Sequence, residues 1–250
     1  MKIALRSTLA LFVALAGCSG NKTAQPSASE TPAGGSTAPS GQQAATQKRA
    51  LVRFAQTVHG NQPMDLWFGD MKVFSNVGYK QVTPYIEVPA ERHDFKLQNS
   101  GDTQTNALAT NSEGLTAGAH YTIVAEKKNS KDQALTLDSL NDDLTLPAEG
   151  KAKIRIVNAA LGLGKIDVVG PDGKIFSGVG DDTSTSYKDV SAARGTLEVR
   201  RSDKKVDVLR ITNLNLQPGK IYTIFVVGGA GQPIEGVTVS DELTPSGIGG

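Results

Sequence analysis

The stretch Ala152-Lys153-Ile154-Arg155-Ile156 repeats, in a closely similar form, the stretch Ala50-Leu51-Val52-Arg53-Phe54 that lies 102 residues earlier. In the later stretch apolar and basic side chains alternate, which predicts a strand with Ile154 and Ile156 on one face. The further matching pairs are Met64-Asp65-Leu66 and Ile166-Asp167-Val168, Phe74 and Phe176, Val77-Gly78 and Val179-Gly180, Tyr85 and Tyr187, Tyr121-Thr122-Ile123 and Tyr222-Thr223-Ile224, and Leu135-Thr136-Leu137 and Val237-Thr238-Val239. Matches this numerous and in one order predict two homologous domains in tandem, at residues 49–147 and 151–242.

Each repeat has the pattern of short strands separated by turns. In the second repeat the strand-like runs lie near residues 153–157, 196–200, 206–212, 221–227 and 236–239. Gly170-Pro171-Asp172-Gly173 has the composition of a turn. About seven short strands in fewer than ~100 residues are typical of an immunoglobulin-like sandwich. The sequence therefore predicts an all-β fold made of two tandem immunoglobulin-like β-sandwich domains.

A further motif supports the sandwich. The segment Leu216-Gln217-Pro218-Gly219-Lys220-Ile221-Tyr222 has the Leu-x-Pro-x-x-x-Tyr form of a tyrosine corner, in which the phenol closes a loop onto nearby backbone. The first repeat keeps Leu115, Gly118 and Tyr121 but has Ala117 in place of the proline, so the motif is weaker there.

The order of these motifs resembles the bacterial domain-of-unknown-function family 4397. The motifs are Arg53 in the opening strand, the triplet Met64-Asp65-Leu66, the segment Val82-Thr83-Pro84-Tyr85, and the strand with Leu115, Gly118 and Tyr121-Thr122-Ile123. The resemblance covers residues 49–242 and implies exported β-sandwich modules, often in tandem and often on lipoproteins, with no established activity. The His-Ala-Ser-Pro stretch usual in the family appears here only as Ala55-Gln56-Thr57-Val58-His59 and Asn158-Ala159-Ala160-Leu161. The resemblance implies no catalytic residue.

The N-terminal stretch Leu15-Ala16-Gly17-Cys18 holds the single cysteine of the chain and resembles the lipobox of bacterial lipoproteins. Lys2 and Arg6 precede an apolar run that is too short to cross a membrane. We expect residues 1–17 to be a lipoprotein signal peptide, and Cys18 to carry the lipid that anchors the protein in the bacterial cell envelope. Ser19, at a position where Asp favours the inner membrane in enterobacteria, favours the outer membrane. The alternative is an ordinary secretory signal peptide.

The composition limits the remaining segments and the partners. Residues 18–48 are mostly small and polar, which predicts a lipidated, disordered tether, and residues 243–250 predict a flexible tail. Removal of residues 1–17 lowers the basic count from 26 to 24, against 25 acidic side chains. A nearly neutral chain without a basic patch excludes a nucleic acid as the expected partner.

The candidate metal ligands have unsuitable spacing. The chain has three histidines, His59, His93 and His120, and none has a partner at the spacing of a zinc site. Asn141-Asp142-Asp143 and Asp181-Asp182 lack the pattern of a calcium loop, and we expect solvated turn residues in both. The sequence predicts no metal site and no cofactor.

Two Arg–Asp combinations recur in the repeats. Arg53 with Asp65, and Arg155 with Asp167, both lie off the apolar face of their strands, which predicts an ion pair across strands in each repeat. Trp67, the single tryptophan, is also expected to point outward. It is either an anchor for a binding partner or part of the contact between the two domains.

Catalytic motifs are missing from the sequence. It has no Gly-x-Ser-x-Gly elbow, and Gly228-Gly229-Ala230-Gly231 joins two strand-like runs as a hairpin connection. We therefore expect a non-catalytic envelope lipoprotein whose sandwiches bind a protein or a surface, or have a structural role. The alternatives are a glycan-acting hydrolase of the periplasm or cell surface, and a carbohydrate-binding lipoprotein using outward aromatic residues, for which Trp67 and Tyr79 are the candidates.

Overall fold

The computed structural model describes residues 48–60, 62–102, 106–128 and 134–241. Within these ranges the chain forms strands and turns and contains no helix, so the predicted all-β class is confirmed. The predicted signal peptide, Cys18, all but Lys48 of the predicted tether, and the predicted tail lie outside the described residues. All described residues belong to one compact unit.

The described part of the first repeat contains eight strands in two four-stranded sheets. They are β1 (Arg49–Gln56), β2 (Met64–Phe68), β3 (Met71–Val77), β4 (Ile86–Pro89), β5 (Arg92–Asn99), β6 (Ala109–Gly114), β7 (His120–Lys127) and β8 (Leu135–Asn141). One sheet has the order β4-β1-β7-β8 and the other the order β3-β2-β5-β6. β1 and β7 run parallel, and the other neighbours run antiparallel.

The second repeat has the same arrangement. Its strands are β9 (Lys151–Asn158), β10 (Ile166–Gly170), β11 (Gly173–Val179), β12 (Thr183–Ser184), β13 (Lys188–Ser191), β14 (Arg194–Arg201), β15 (Asp207–Asn215), β16 (Ile221–Gly229) and β17 (Gln232–Ser240). One sheet has the order β12-β9-β16-β17, with β13 also paired to β9, and the other has the order β11-β10-β14-β15. β9 and β16 run parallel, as β1 and β7 do. The internal repeat of the sequence is therefore a repeat of topology.

The two sheets of each repeat enclose an apolar core. In the second repeat Ile154 and Ile156 of β9 pack with Val168 of β10 and Val199 of β14 in one buried cluster. Alternation along β9 thus points its isoleucines inward, as predicted. Full burial of such a side chain stabilises the fold by about 1.5–3 kcal/mol. The first repeat has an equivalent cluster built on β1, β2, β5 and β7.

A third apolar cluster joins the repeats to each other. It brings Ala55 of β1 and Val124 of β7 together with Val157 of β9 and Phe225 of β16. These residues lie on the faces of their strands that point away from the two sandwich cores. The sheet β4-β1-β7-β8 therefore packs against the sheet that contains β9 and β16, and the central strands of both sheets are buried on two faces.

Both tyrosine corners form. The phenol oxygen of Tyr222 accepts a hydrogen bond from the amide of Gln217 at 3.1 Å. The phenol oxygen of Tyr121 accepts one from the amide of Thr116, also at 3.1 Å. The proline present in the second repeat is therefore not required for this hydrogen bond.

Candidate functional site at the contact between the repeats

Two arginines and two aspartates pair reciprocally where the repeats meet. Nη2 of Arg53 lies 2.7 Å from Oδ1 of Asp241, and Nη2 of Arg155 lies 2.5 Å from Oδ1 of Asp142. Arg53 and Asp142 come from the first repeat, and Arg155 and Asp241 from the second. Each arginine thus pairs with the aspartate of the other repeat. The arginine side chains are 2% and 1% exposed, and both aspartate side chains are fully buried.

A threonine from each repeat connects the four charges. Oγ1 of Thr122 accepts hydrogen bonds from Nε of Arg53 at 2.8 Å and from Nη2 of Arg155 at 3.2 Å. The Thr122 hydroxyl donates to Oδ2 of Asp142 at 2.7 Å. Thr223 makes the equivalent contacts in the second repeat. Its Oγ1 accepts hydrogen bonds from Nε of Arg155 at 3.0 Å and from Nη2 of Arg53 at 3.3 Å, and its hydroxyl donates to Oδ2 of Asp241 at 2.7 Å. The network therefore has a local two-fold arrangement.

Two tyrosines complete it. The Tyr85 hydroxyl donates to Oδ2 of Asp142 at 2.5 Å, and the Tyr187 hydroxyl donates to Oδ2 of Asp241 at 2.8 Å. The guanidinium carbon of Arg53 lies 4.6 Å from the Tyr85 ring centre, a cation–π contact. Burial and the adjacent carboxylate raise the pKa of Tyr85, and burial raises that of Tyr187. Both phenols therefore stay protonated and act as donors.

The network is neutral and its members bind each other. Two guanidinium groups balance two carboxylates, and the hydroxyl groups fill further hydrogen-bonding positions. Desolvation offsets much of the attraction in a buried ion pair, but loss of one partner leaves an uncompensated charge, which costs about 3–5 kcal/mol. The arrangement therefore specifies how the repeats pack and directs no acid, base or nucleophile toward solvent.

The predicted pairs Arg53–Asp65 and Arg155–Asp167 are wrong. Asp65 lies in β2, on the outer face of the sheet β3-β2-β5-β6, whereas Arg53 lies on the outer face of the opposite sheet. The sandwich core therefore separates them. Asp65 pairs instead with Lys72, whose Nζ lies 2.5 Å from Oδ2, and Asp167 pairs with Lys174 at 2.6 Å.

Asp65 and Asp167 each also accept a hydrogen bond from a backbone amide at an irregular position of the neighbouring strand. Oδ1 of Asp65 accepts a hydrogen bond from the amide of Asn76 at 2.8 Å, and Oδ1 of Asp167 accepts one from the amide of Gly178 at 2.9 Å. The φ angles are 56° at Asn76 and 65° at Gly178, a conformation that Gly and Asn tolerate best. Hydrogen bonds from Lys174, from Ser202 and from the Gly178 amide lower the pKa of Asp167 to about 2. The recurring triplet is therefore structural.

An acidic cluster lies further along β7. Glu126 of β7 is 2% exposed, and it lies near Asp138 on the neighbouring strand β8. Burial, Asp138 and the negative charge of Asp182 from the second repeat raise the pKa of Glu126. Burial and the nearby Asp181 and Asp138 raise the pKa of Asp182 to about 6. Lys128 lies 3.6 Å from Asp138 and is the neighbouring cation.

Among the residues of the two predicted acidic turns, Asp142 differs most from the prediction, in its burial. Asp142 was expected to be a solvated turn residue, but it is buried because the second repeat covers the end of β8. Its neighbour Asp143 is 57% exposed and pairs with Lys153 at 2.7 Å. Asp181 accepts a hydrogen bond from the amide of Gly164 at 2.6 Å. Asp182 is partly exposed, so it keeps some of its expected contact with solvent.

The three histidines lie apart. The ring centre of His59 is 5.1 Å from that of Tyr79, and that of His120 is 5.5 Å from that of Tyr85. Nε2 of His93 is 2.8 Å from the carbonyl oxygen of Pro89. In the described part of the chain, no three His, Cys, Asp or Glu side chains are grouped so that they could hold a metal ion.

Trp67 does not contribute to the contact between the repeats, so that alternative is wrong. It lies on β2, and none of the residues in the clusters that join the repeats belongs to its sheet. The ammonium group of Lys72 lies 5.0 Å from the Trp67 ring centre. The predicted hairpin at Gly228-Gly229-Ala230-Gly231 is confirmed, since β16 ends at Gly229 and β17 begins at Gln232.

Comparison with known families confirms the predicted resemblance. Residues 50–169 match the family described as "Domain of unknown function (DUF4397)". The match extends from β1 to β10, so it covers the first repeat and the beginning of the second. A search of curated proteins found no match. Among the described residues, no helix has the length and apolar character needed to span a membrane.

Three solved structures are distantly similar. The Bacillus anthracis TIE protein is 9% identical with a TM-score of 0.23, and the match covers 72% of this chain and 34% of that one. A family CBM26 module from Eubacterium rectale Amy13K, solved with maltoheptaose, is 14% identical with a TM-score of 0.22, covering 79% and 98%. A streptococcal virulence factor, titled for alpha-glucan binding, is 15% identical with a TM-score of 0.24, covering 72% and 93%. This chain thus spans about a third of the TIE protein.

Proposed function

We propose that this chain is a non-catalytic lipoprotein of the bacterial cell envelope, anchored through Cys18, whose two repeats form one rigid module that binds a protein or a surface partner. The observation that carries the proposal is the reciprocal pairing of Arg53 with Asp241 and of Arg155 with Asp142. It supports a module in which the repeats hold a fixed relative position. The outer surfaces of both sandwiches then face a partner together.

The position of the charged groups supports a role without catalysis. Arg53, Arg155, Asp142 and Asp241 are buried in the contact between the repeats and pair with each other. Groups held in this way act on the packing of the protein and have no open face for a substrate. Binding through the outer surfaces is therefore the role that this arrangement supports best.

The location is inferred from the N-terminal sequence. Leu15-Ala16-Gly17-Cys18 supports lipid attachment, and Ser19 supports the outer membrane over the inner one. The polar residues 18–48 would form a tether with a mean reach on the order of 30 Å, which lets the module stand clear of the lipid headgroups.

The domain description is part of the same proposal. We assign the domains to residues 49–147 and 151–242 and place both in the immunoglobulin-like class. Two sheets around one core in each repeat, and a tyrosine corner in each, support that class.

The two candidate residues for carbohydrate binding do not lie on the same face of a sheet. Tyr79 packs beside the cluster that joins the repeats, whereas Trp67 lies on β2 in the opposite sheet of the first sandwich. The two rings therefore do not line one sheet face, which a stacking platform for sugars requires. No specific observation on the described residues favours the hydrolase.

The test is the location of the tagged protein in cells. We expect the wild-type protein to fractionate with membranes and the Cys18→Ala variant to be released. Protease treatment of intact and permeabilised cells then separates surface display from a periplasmic position, and crosslinking in the matching compartment identifies the partner. Membrane association that persists in Cys18→Ala would contradict the anchor.

A further inference from the structure

A cleft opens into one end of the second sandwich. It has a volume of about 400 Å³ and lies between β11 and β13, which are edge strands of the two opposing sheets. Apolar side chains contribute to its lining. They are Ile175, Val190, Leu197, Leu214 and Leu216. The volume falls in the range of about 300–1,000 Å³ that small-molecule sites occupy.

The first repeat fills the corresponding place with aromatic rings. Its Phe68, His93 and Phe95 stand 102 residues before Gly170, Gly195 and Leu197, and the strand pairings keep the same register. The Phe68 ring centre lies 4.6 Å from that of Phe95 and 5.0 Å from that of His93. The second repeat thus has two glycines and a leucine where the first has three packed rings, and the cleft lies beside them.

Two lysines at the cleft have no acidic partner. Nζ of Lys151 is 3.4 Å from Oγ of Ser191, and Nζ of Lys188 donates to the carbonyl of Ile175 at 3.0 Å. Within the described residues, neither ammonium group lies within 4.0 Å of a carboxylate. The first repeat has Ile86 at the position of Lys188, so this charge is particular to the cleft.

The other charged residues of the lining have partners of their own or face solvent. Lys174 pairs with Asp167 at 2.6 Å. Asp189 accepts a hydrogen bond from the amide of Ala148 at 2.8 Å. Asp172 is exposed in the turn between β10 and β11. Lys188 lies opposite Ile154, which points into the sandwich, whereas Lys151 lies opposite Ser191 on the other face of its sheet. Lys188 is therefore the group available to an anion in the cleft.

We infer that this cleft binds a small amphipathic anion, with the apolar body against the leucines and the carboxylate, sulfate or phosphate group at Lys188. Hydrogen bonds between an ammonium and an anionic oxygen are stronger than neutral ones, and the apolar lining favours a hydrocarbon chain. The inference rests on the proposed role as a binding module and gives it a ligand class.

The test uses the chain from residue 18 onward, with Cys18→Ala so that no lipid is attached. Titration calorimetry with decanoate should show saturable binding, whereas 1-decanol and butyrate, which each lack one half of the ligand, should bind at least about tenfold more weakly. Lys188→Ile, which introduces the first-repeat residue, should weaken decanoate by about tenfold or more and leave 1-decanol unchanged. Lys204→Ala, an exposed lysine elsewhere on the second repeat, should change nothing.

A second variant fills the cleft. Gly170→Phe with Leu197→Phe introduces the rings of the first repeat and should abolish binding. An added Cβ at Gly170 would lie 2.7 Å from Cδ1 and 3.4 Å from Cγ1 of Ile175, and no backbone atom is among its nearest neighbours. The fold should therefore accommodate it by a shift of the Ile175 side chain. Circular dichroism and thermal melts of each variant show whether the fold is kept.

A vesicle-binding experiment distinguishes a membrane lipid from a free amphiphile as the source of the anion. If the protein sediments with phosphatidylglycerol vesicles but not with phosphatidylcholine vesicles, and Lys188→Ile abolishes this, the site binds a membrane lipid. If the protein binds decanoate but does not sediment with phosphatidylglycerol vesicles, the site binds a free amphiphile. Decanoate binding that is undetectable, or unchanged in both folded cleft variants, overturns the inference. Either result leaves the membrane fractionation of the wild-type and Cys18→Ala proteins unaffected, so a failure here is distinct from a failure of the envelope assignment.

Discussion

Arg155 reaches out of its own repeat, and its Nη2 lies 2.5 Å from Oδ1 of Asp142 in the other. Arg53 does the same toward Asp241 at 2.7 Å. A contact that exchanges the charged partners in both directions can form only when the two repeats dock in one orientation. The buried pairs therefore act mainly on the specificity of packing between the repeats.

Removal of one carboxylate should be strongly destabilising. Asp142→Asn leaves the guanidinium of Arg155 buried without a counter-charge, and we expect a loss of about 3–5 kcal/mol in the free energy of unfolding. Urea denaturation measures it. Asp70→Asn is the matched control, because Asp70 is fully exposed beside Lys96, and it should change stability by less than about 0.5 kcal/mol. A loss below ~1 kcal/mol for Asp142→Asn would contradict a buried, paired carboxylate.

Double-mutant cycles should separate the observed pairing from the one that the sequence predicts. Arg155→Gln and Asp142→Asn should show a coupling energy of about 1–3 kcal/mol, since the two groups are in contact. Arg155→Gln and Asp167→Asn should be additive within about 0.5 kcal/mol, because Asp167 pairs with Lys174 on the other sheet. Coupling in the second cycle and additivity in the first would reverse the assignment.

The sequence predicts the strands of each repeat well but cannot predict what covers them. Alternation in β9 correctly places Arg155 on the face of the strand that does not carry Ile154 and Ile156. It does not show whether that second face contacts water or another sheet. The run Ile221-Tyr222-Thr223-Ile224-Phe225-Val226-Val227 holds that information. A nearly continuous apolar run is typical of a strand buried on both faces.

The aspartates of the network were missed for a different reason. Arg53 and Arg155 are 102 residues apart, but Asp142 and Asp241 are 99 apart, because the spacing of the repeats changes before β8 and β17 begin. Asp138 pairs with Val124 as Val237 pairs with Phe225, so the predicted match of Leu135-Thr136-Leu137 with Val237-Thr238-Val239 is wrong. At a fixed period of 102 residues Asp142 has no matching aspartate in the second repeat, and a run of acidic residues after a strand resembles an ordinary turn. Alignment of the repeats with this shift would reveal the second matching pair.

The tyrosine corners should contribute similarly in the two repeats. Tyr222→Phe leaves the amide of Gln217 without its acceptor, and Tyr121→Phe does the same to Thr116. We expect each to cost about 1–3 kcal/mol of unfolding free energy, since a partly buried donor loses its partner. Tyr79→Phe is the control, because the described residues give its hydroxyl no hydrogen bond, and it should be nearly neutral. A large loss for Tyr222→Phe alone would contradict equal contributions and would point to the further hydrogen bond that the Tyr222 hydroxyl donates to the carbonyl oxygen of Asn215 at 3.4 Å.

The acidic cluster between the repeats should make stability fall as the pH rises. In the folded protein burial and Asp138 raise the pKa of Glu126, so the folded state keeps a proton that the unfolded chain releases above about pH 4.5. Stability falls with pH wherever the folded state binds more protons than the unfolded state. Asp182, with its pKa raised to about 6, adds to the same slope at lower pH.

Glu126→Gln should therefore remove most of this slope between about pH 5 and pH 9, and at pH 9 it should be more stable than the wild type by about 1–3 kcal/mol. Near pH 5 the two proteins should differ little, because glutamine resembles the protonated carboxyl group. Chemical denaturation over this pH range measures the effect. Glu149→Gln, at an exposed position before β9, should keep the wild-type slope. Equal slopes in the wild type and in Glu126→Gln would show that Glu126 is ionised in the folded protein, with Asp138 and Asp182 too far away to oppose it.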